Sequence, residues 1–130
     1  MFATMNEDKT SQWRSSPTNN AVRYYLVHHG TFLNGEEAGD EAALRIAFTI
    51  RQTEALLEST GQLAEVGRPN LILDCHLIEA ATCPFLKSLI EGLAERGVDL
   101  PRIYFDHLNK ELQQSMWVLR ARMEIPQAVI

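Results

Sequence analysis

The sequence predicts a small α/β sandwich, in which about three helices cover a four- to five-stranded sheet of mixed or parallel strands. Short runs rich in β-branched and aromatic residues alternate with longer segments whose apolar residues recur at helical spacing. Strands that alternate with helices favour parallel neighbours joined by right-handed crossovers. The 130 residues fit one domain, and we expect it to span residues 21–130 after a flexible tail at residues 1–20.

One strand and one long helix are predicted for the first half of the domain. Residues 22–27 are rich in β-branched and aromatic side chains and indicate a strand that Gly30 ends. Asp40 is the expected N-cap of a helix that continues to about Ser59. In the tail, residues 12–15 suggest a short edge strand. The apolar stripe of the helix comprises Ala43, Ala47, Ile50 and Leu57, and is widened by Leu44 and Phe48.

The second half is predicted to alternate strand and helix twice and to end in a last strand at residues 127–130. Residues 71–73 form a continuous apolar run, which is typical of a strand buried on both faces. Pro84 stands in the first turn of the next helix. Residues 102–105 indicate a further strand, and Asn109 is the expected cap of the third helix. The apolar stripes of these two helices are Phe85, Leu86, Leu89, Ile90 and Leu93, and Leu112, Met116, Leu119 and Met123.

Charge and composition argue against several classes of function. The net charge is −5 and no run of basic residues interrupts the acidity, so we expect no nucleic-acid partner. No segment resembles a secretion signal or the ~20 apolar residues of a membrane span, so we expect a cytoplasmic protein without membrane insertion. Cys75 and Cys83 are then expected to be reduced thiols, with a disulfide between them as the alternative. A monomer and a homodimer both suit this composition.

The sequence offers few residues for metal binding. His28 and His29 are adjacent at a predicted strand end, so their side chains should point to opposite faces and cannot bind one metal together. The other two histidines each follow a predicted strand end beside an aspartate, in the pairs Asp74 with His76 and Asp106 with His107. This placement leaves two interpretations open, a metal or acid–base site at the carboxyl edge of the sheet and solvated loop histidines.

Catalysis has no clear basis in the sequence. Neither of the common phosphate-binding loops, G-x-G-x-x-G and G-x-x-x-x-G-K-[ST], occurs. Cys83 at a helix start is a candidate nucleophile, but no base accompanies it. Asp74 at the end of a buried strand is more simply a cap for loop amides. We therefore predict no enzymatic activity, no cofactor and no bound metal.

The segment LDCHLIEAATCPFL, residues 73–86, resembles the STAS domain, the anti-sigma-factor-antagonist fold. In that family a strand ending in Leu-Asp leads through an apolar turn to an Asp-Ser/Thr-Ser-Gly-Leu stretch that opens a helix. Leu73, Asp74 and Leu86 fall at matching separation. The order of strands and helices beyond this segment is also similar, so the resemblance covers about residues 70–130. It implies a STAS-like sandwich and a regulatory binding protein.

The phosphoacceptor motif departs from the STAS pattern. Cys83 stands where STAS domains have the phosphoacceptor serine, and Thr82 and Phe85 replace the aspartate and the glycine of the motif. The SiaC-type regulatory phosphoproteins are more similar, because their phosphoacceptor threonine lies in an Asn-Thr-Ser-Ser stretch and Thr82 matches it in register. Ala81 replaces the Asn, and Cys83-Pro84 replace the serines. The resemblance therefore implies Thr82 as the candidate phosphoacceptor.

One main hypothesis and two alternatives follow. The main hypothesis is a non-enzymatic regulatory switch protein of a bacterial partner-switching pathway, controlled by phosphorylation of Thr82. The resemblance implies a histidine-kinase-like serine/threonine kinase, a PPM-type phosphatase or a diguanylate cyclase as partner. The residues expected to bind it are Thr82, Cys83, Pro84, Phe85, Asp106, His107 and Asn109. The alternatives are a structural or oligomerising STAS-like domain without phosphorylation, and a small-ligand or metal-binding module that uses His76, Asp106 and His107.

Overall fold

The structure, a computed structural model, describes residues 21–123. Its strands are β1 (Ala21–Tyr25), β2 (Phe32–Leu33), β3 (Asn70–Asp74), β4 (Ala80–Ala81) and β5 (Ile103–Asp106). Its α-helices are α1 (Glu36–Ser59), α2 (Leu63–Val66), α3 (Cys83–Glu95) and α4 (Lys110–Met123). Two 3₁₀ helices, Leu26–His29 and Leu100–Arg102, precede β2 and β5. The alternation of strands and helices confirms the predicted α/β class.

The five described strands are divided between two parallel sheets. One sheet has the order β1-β3-β5, and in the other β2 pairs with β4. Every strand pair is parallel, as the alternation with helices predicts. β3 lies in the middle of the larger sheet, and Leu71, Ile72 and Leu73 are all buried. The prediction of a strand covered on both faces is therefore confirmed.

The first strand is shorter than predicted. Leu26–His29 form a 3₁₀ helix, which is closed by a hydrogen bond of 3.0 Å from the Gly30 amide to the carbonyl of Val27. Gly30 has a φ of +113°, which glycine adopts without the steric cost of a Cβ. The prediction of a strand over residues 22–27 is wrong in its last two residues, because Leu26 enters the core from a turn.

α1 begins earlier than predicted. Its N-cap is Gly35 instead of Asp40, and Glu36 and Glu37 in the first turn interact favourably with the helix dipole. Asp40 lies inside the helix, where its carboxylate accepts a hydrogen bond of 3.2 Å from Arg96. The expected N-cap residue therefore links α1 to the end of α3.

The buried face of α1 consists mainly of small residues. This face packs against α3 and comprises Gly39, Ala42, Ala43, Ile46, Ala47 and Ile50. Leu44 and Phe48 lie on another face of the helix and are 53% and 57% exposed. The prediction that these two residues widen the buried stripe is wrong, since the helix turns its alanine-rich side to the core.

Two glycines allow α1 and α3 to approach closely. A Cβ on Gly39 would lie 2.4 Å from the carbonyl oxygen of Phe85, and a Cβ on Gly92 would lie 2.7 Å from the Cβ of Ala43. Both distances fall well inside the separation of about 3.5–4.0 Å at which carbon atoms attract one another. The helix–helix contact therefore leaves no room for a methyl group at either glycine.

The strands at residues 71–73 and 102–105 and the two helices predicted for the second half are present, but Arg102 belongs to a 3₁₀ helix, so the later strand is Ile103–Asp106. The short elements α2 and β4 were not predicted. Thr82 and Asn109 directly precede α3 and α4, and the predicted core residues Leu112, Met116 and Leu119 are buried. The tail at residues 1–20, with its edge strand, and the last strand at residues 127–130 lie outside the described residues. None of the helices in residues 21–123 combines the length and the apolar character that a membrane span requires.

Candidate functional site

Thr82 caps two helices. Its side-chain oxygen Oγ1 accepts a hydrogen bond of 3.3 Å from the Phe85 amide in the first turn of α3. The same oxygen accepts a hydrogen bond of 3.2 Å from the amide of Gly35, the N-cap residue of α1. Amides at a helix N-terminus have no acceptor within the helix, and the helix dipole adds positive potential there. The Thr82 hydroxyl therefore stands where the positive ends of α1 and α3 meet.

The two-stranded sheet explains why the helices converge. β2 and β4 pair in parallel with Leu33 level with Ala81, and the Thr82 amide continues the ladder by donating to the Leu33 carbonyl over 2.9 Å. Each strand passes into a helix after a connection of one or two residues, β2 into α1 and β4 into α3. Because the strands are parallel and in register, both helices begin at the same edge of this sheet.

Only part of the predicted partner-binding set near Thr82 is accessible. Pro84 is exposed, and Cys83 is half-buried with its Sγ atom 3.8 Å from the Ser115 carbonyl oxygen of α4. Phe85 is 0% exposed, because its ring belongs to the core. A partner cannot reach that ring while the domain is folded, so Phe85 can belong to the predicted partner-binding set only through its backbone. Phe85 instead serves the site through its amide.

Asn109 joins the loop before β4 to the start of α4. Its Oδ1 atom accepts a hydrogen bond of 2.8 Å from the Leu112 amide, which confirms the predicted cap. Its Nδ2 group donates to the carbonyls of Ile78 and Glu79 over 2.9 and 3.2 Å. The Asn109 side chain thus ties the segment that leads into Thr82 to the segment that follows β5.

An ion-pair cluster, comprising Arg23, Asp74, Asp106 and His107, lies at the carboxyl ends of β3 and β5, where Asp74 is level with Asp106. Asp74 is 2% exposed and is the one buried charged side chain among the described residues. Nη1 of Arg23 donates to Oδ2 of Asp74 over 2.6 Å and to Oδ2 of Asp106 over 3.1 Å. Nδ1 of His107 lies 3.0 Å from Oδ1 of Asp74. One guanidinium group therefore connects the first strand to the two aspartates.

Asp74 stays ionised despite its burial. Burial by itself raises the pKa of a carboxyl group, because the charged form loses water. Hydrogen bonds from the His76 amide, the Arg23 guanidinium and the His107 ring outweigh the burial and hold the pKa of Asp74 below its usual range. Burial also lowers the pKa of Arg23, but its bonds to Asp74 and Asp106 outweigh that effect and raise it. The Asp74 carboxylate and the Arg23 guanidinium are therefore charged at neutral pH.

Cys75 is a structural thiol. It is buried next to the cluster and is not joined to Cys83 in a disulfide. Burial and the nearby carboxylates of Asp74 and Asp106 raise the pKa of its thiol to about 12. Because the thiolate is the reactive form of cysteine, Cys75 is a poor nucleophile at neutral pH.

The ion-pair cluster also holds atoms of the kind that bind metals. A carboxylate oxygen of Asp74, one of Asp106 and a ring nitrogen of His107 lie within 4.8 Å of one another. The His76 ring lies against the His107 ring, with centroids 5.7 Å apart, so the structure brings together the three residues of the metal-binding alternative. The Arg23 guanidinium already bonds to both carboxylates, however, and a metal ion would have to displace it.

We expect Zn²⁺ to leave the thermal unfolding midpoint of the wild-type protein unchanged and to raise that of Arg23→Met. The substitution frees carboxylate oxygens beside the His107 ring, and an ion that binds only the folded state stabilises it by mass action. Differential scanning fluorimetry with Zn²⁺ and with chelator measures the shift. A Zn²⁺-dependent rise in the wild type that Asp106→Asn abolishes would contradict this expectation and favour the metal-binding alternative.

His28 and His29 lie on one side of the chain. Both belong to the 3₁₀ helix, and their rings lie 5.9 and 5.8 Å from the Tyr24 ring, centroid to centroid. The prediction of opposite faces is wrong, because it assumed a strand at these residues. A hydrogen bond of 2.8 Å joins the Tyr24 hydroxyl to Nε2 of His29. Burial and then the charge of Arg45 lower the pKa of His29, so its imidazole is neutral at pH 7.

Arg23 in the ion-pair cluster, and Tyr24 and Arg45 beside His28 and His29, are candidate site residues that were not predicted from the sequence. Arg23 lies inside a predicted strand, and a charged side chain in a sheet needs an ionic partner or water. Its position therefore indicated an ion pair. The order of the strands identifies the partners of Arg23, because β1 lies beside β3 and β3 beside β5. No such signal marks Tyr24 or Arg45 in the sequence.

Comparison with protein-family models, with curated proteins and with solved structures gives no match to this chain. The structure alone therefore defines the class of protein. It is an α/β domain with an ion-pair cluster and with a threonine whose hydroxyl oxygen accepts hydrogen bonds from two backbone amides. Because one fold supports many functions, the function has to be inferred from the residues of these two sites.

Proposed function

We propose that this chain is a non-enzymatic regulatory binding protein, STAS-like and nearest the SiaC-type phosphoproteins, that is switched by phosphorylation of Thr82. The observation that carries the proposal is the double cap, in which one hydroxyl oxygen accepts the amides of Gly35 and Phe85. Free amides and helix dipoles at helix N-termini favour a bound phosphate group. An ordinary cap residue stands at one helix N-terminus, whereas Thr82 contacts two. This difference favours Thr82 as the attachment point of a phosphate group.

Phosphorylation would reverse the electrostatic character of the Thr82 position. A kinase transfers a phosphoryl group from ATP to Oγ1 and the hydroxyl proton is released, so the residue gains nearly two negative charges. The phosphate oxygens can accept hydrogen bonds from the amides that Oγ1 now engages. A partner that binds the uncharged surface would then have to bury a dianion, and its affinity would fall.

Exposed apolar side chains lie on three segments that are connected to Thr82 through the chain or through β2. Phe32 in β2 is 60% exposed and Leu77 in the loop after β3 is 64% exposed, and Pro84 in the first turn of α3 is also exposed. The Leu33 carbonyl of β2 accepts a hydrogen bond from the Thr82 amide. The loop that contains Leu77 precedes Thr82 in the chain, and the first turn of α3 follows it. Exposed apolar groups next to polar ones are found at protein-binding surfaces, where an apolar core has a polar rim. Partners of the proposed class are the histidine-kinase-like kinase, the PPM-type phosphatase and the diguanylate cyclase.

We expect a phosphate on Thr82 in protein purified from its natural host, as measured by intact mass and by site mapping. Thr82→Asn is the matched variant, because an asparagine oxygen can still cap α3 but has no hydroxyl to phosphorylate. The variant should fold with nearly wild-type stability and should lack the phosphate. Thr82→Ser keeps both the cap and the hydroxyl, so it should retain the modification.

The partner surface is tested by a photo-crosslinking amino acid at Leu77, with the same residue at Leu56 as a control, since Leu56 is equally exposed on α1. We expect a crosslink to a partner from Leu77 alone, and its loss in a Thr82→Glu background. A Thr82 that stays unmodified across growth conditions rules out the switch. Self-crosslinks without any phosphate would support the oligomerising alternative instead.

A further inference from the structure

We propose that a cleft between β1 and α1 binds small amphipathic anions of the aryl carboxylate class. The cleft has an apolar lobe and a polar lobe, and Tyr24 and Arg45 line both. We call it the Tyr24 cleft. It shares no residue with the Thr82 cap or with the ion-pair cluster, so the inference goes beyond the proposed function and does not depend on it.

The apolar lobe is lined by two large apolar side chains of α1, Leu44 and Phe48, that the fold leaves exposed. It has a volume of about 470 Å³, and Leu44 and Phe48 line it opposite Tyr24. Both α1 side chains are more than half exposed, although residues of this size are usually buried. A flat hydrocarbon group in this lobe would remove them from water and could stack against the Phe48 and Tyr24 rings.

The polar lobe adjoins the apolar one on the side of the 3₁₀ helix. It has a volume of about 520 Å³, and its lining includes the His28 ring and the side chains of Glu41 and Arg45. A hydrogen bond joins the hydroxyl of Tyr24, which lines both lobes, to the ring of His29, which lines the polar lobe. Each lobe lies in the range of about 300–1,000 Å³ that is common for small-molecule sites.

Arg45 determines the charge of the ligand. Its Nη2 atom lies 3.5 Å from a carboxylate oxygen of Glu41, and both side chains are more than 60% exposed. An exposed pair of this length is weak, and a guanidinium group has five N–H donors, so Arg45 keeps donors for a second carboxylate. A ligand carboxylate bonded to Arg45 would place an attached aromatic ring beside Phe48, because the two residues line the same lobe.

The test is a titration of the full chain with 1-naphthoate, followed by amide chemical shifts in ¹⁵N-labelled protein. We expect saturable shifts at Tyr24 and along residues 44–49. Arg45→Gln and Phe48→Ser should each weaken binding about tenfold, since each removes one of the two contacts. Glu41→Gln should tighten binding, because it removes the carboxylate that competes for Arg45.

Two variants on the same helix are matched controls. Arg51→Gln removes an exposed charge and Leu56→Ser an exposed apolar side chain, and neither residue lines the cleft. Both should bind 1-naphthoate as the wild type does. Binding that survives Arg45→Gln and Phe48→Ser overturns the proposal, as does equal binding of the neutral 1-naphthalenemethanol. Failure of the wild type to bind at millimolar 1-naphthoate also overturns it.

Discussion

Gly39→Ala is expected to lower the free energy of unfolding by about 2 kcal/mol, although alanine is the better helix former. In an open helix the substitution would stabilise by about 1 kcal/mol. In α1 the new methyl carbon would lie 2.4 Å from the Phe85 carbonyl oxygen and 2.9 Å from the Cβ of Ser88. The first of these is a backbone atom inside α3, so the clash is relieved only if the two helices move apart. Loosened packing over the whole contact outweighs the gain in helix propensity.

Urea denaturation of the wild type and of Gly39→Ala measures this difference. Ala38→Ser is the matched control, because Ala38 is the exposed neighbour of Gly39 and the substitution also adds one heavy atom. The control should change the free energy of unfolding by no more than about 0.5 kcal/mol. A Gly39→Ala protein as stable as the wild type would show that α1 and α3 do not approach as closely as the structure has them.

Arg23→Met is expected to lower the free energy of unfolding at pH 7 by about 2 kcal/mol. The substitution leaves the carboxylates of Asp74 and Asp106 side by side without the guanidinium that bonds to both. Removing one partner of a fully buried pair costs about 3–5 kcal/mol. The smaller value applies because the Arg23 side chain is 38% exposed, so water already weakens its bonds.

The loss of stability caused by Arg23→Met should become smaller as the pH falls. The folded-state pKa of Asp74 lies below its usual value, so its contribution to stability is present at neutral pH and disappears as the pH falls through that pKa. Without Arg23 the pKa of Asp74 rises, and the variant protonates this group earlier during acidification. The difference in stability between wild type and variant should therefore be largest near pH 7 and shrink below about pH 4.

Thermal or urea unfolding of both proteins across pH 3–8 measures the difference in their stability. Lys87→Met is the matched control, since Lys87 forms an exposed i,i+4 pair with Glu91 at 3.6 Å. We expect the control to change the stability by less than about 0.5 kcal/mol at every pH. A constant difference between wild type and Arg23→Met over this range would contradict an ionic role for Arg23.

Local signals in the sequence were sufficient for α3 and its cap. Thr82 stands before Pro84 and before apolar residues at helical spacing, and these features act within a single turn of the chain. α1 was harder, because Leu44 and Phe48 supply an apolar face as convincing as the true one. Which face of α1 is buried depends on how closely α3 approaches it. The close approach favours the face with small residues, and it is a tertiary effect that the sequence of α1 alone does not contain.

The candidate site was predictable in part for the same reason. The role of Asn109 as a cap follows from its neighbours in sequence and is confirmed, and the cap of α3 at Thr82 has the same local origin. The second amide on Thr82 comes from Gly35, and the guanidinium on Asp74 comes from Arg23. These pairs are separated by 47 and 51 residues, so they exist only once the strands have assembled.

α1 is a single rod of 24 residues, about 36 Å long. The Gly35 amide at its start bonds to Thr82, Arg45 near its middle lines the Tyr24 cleft, and Glu54 near its end pairs with Arg102. A helix resists compression along its axis, so a displacement at any of these places moves the others. A ligand that shifts α1 at the cleft must also change the Gly35–Thr82 distance. On the two proposals above, a phosphate on Thr82 would then alter the affinity of the cleft for its ligand, and by thermodynamic reciprocity the bound ligand would shift the phosphorylation equilibrium by the same factor.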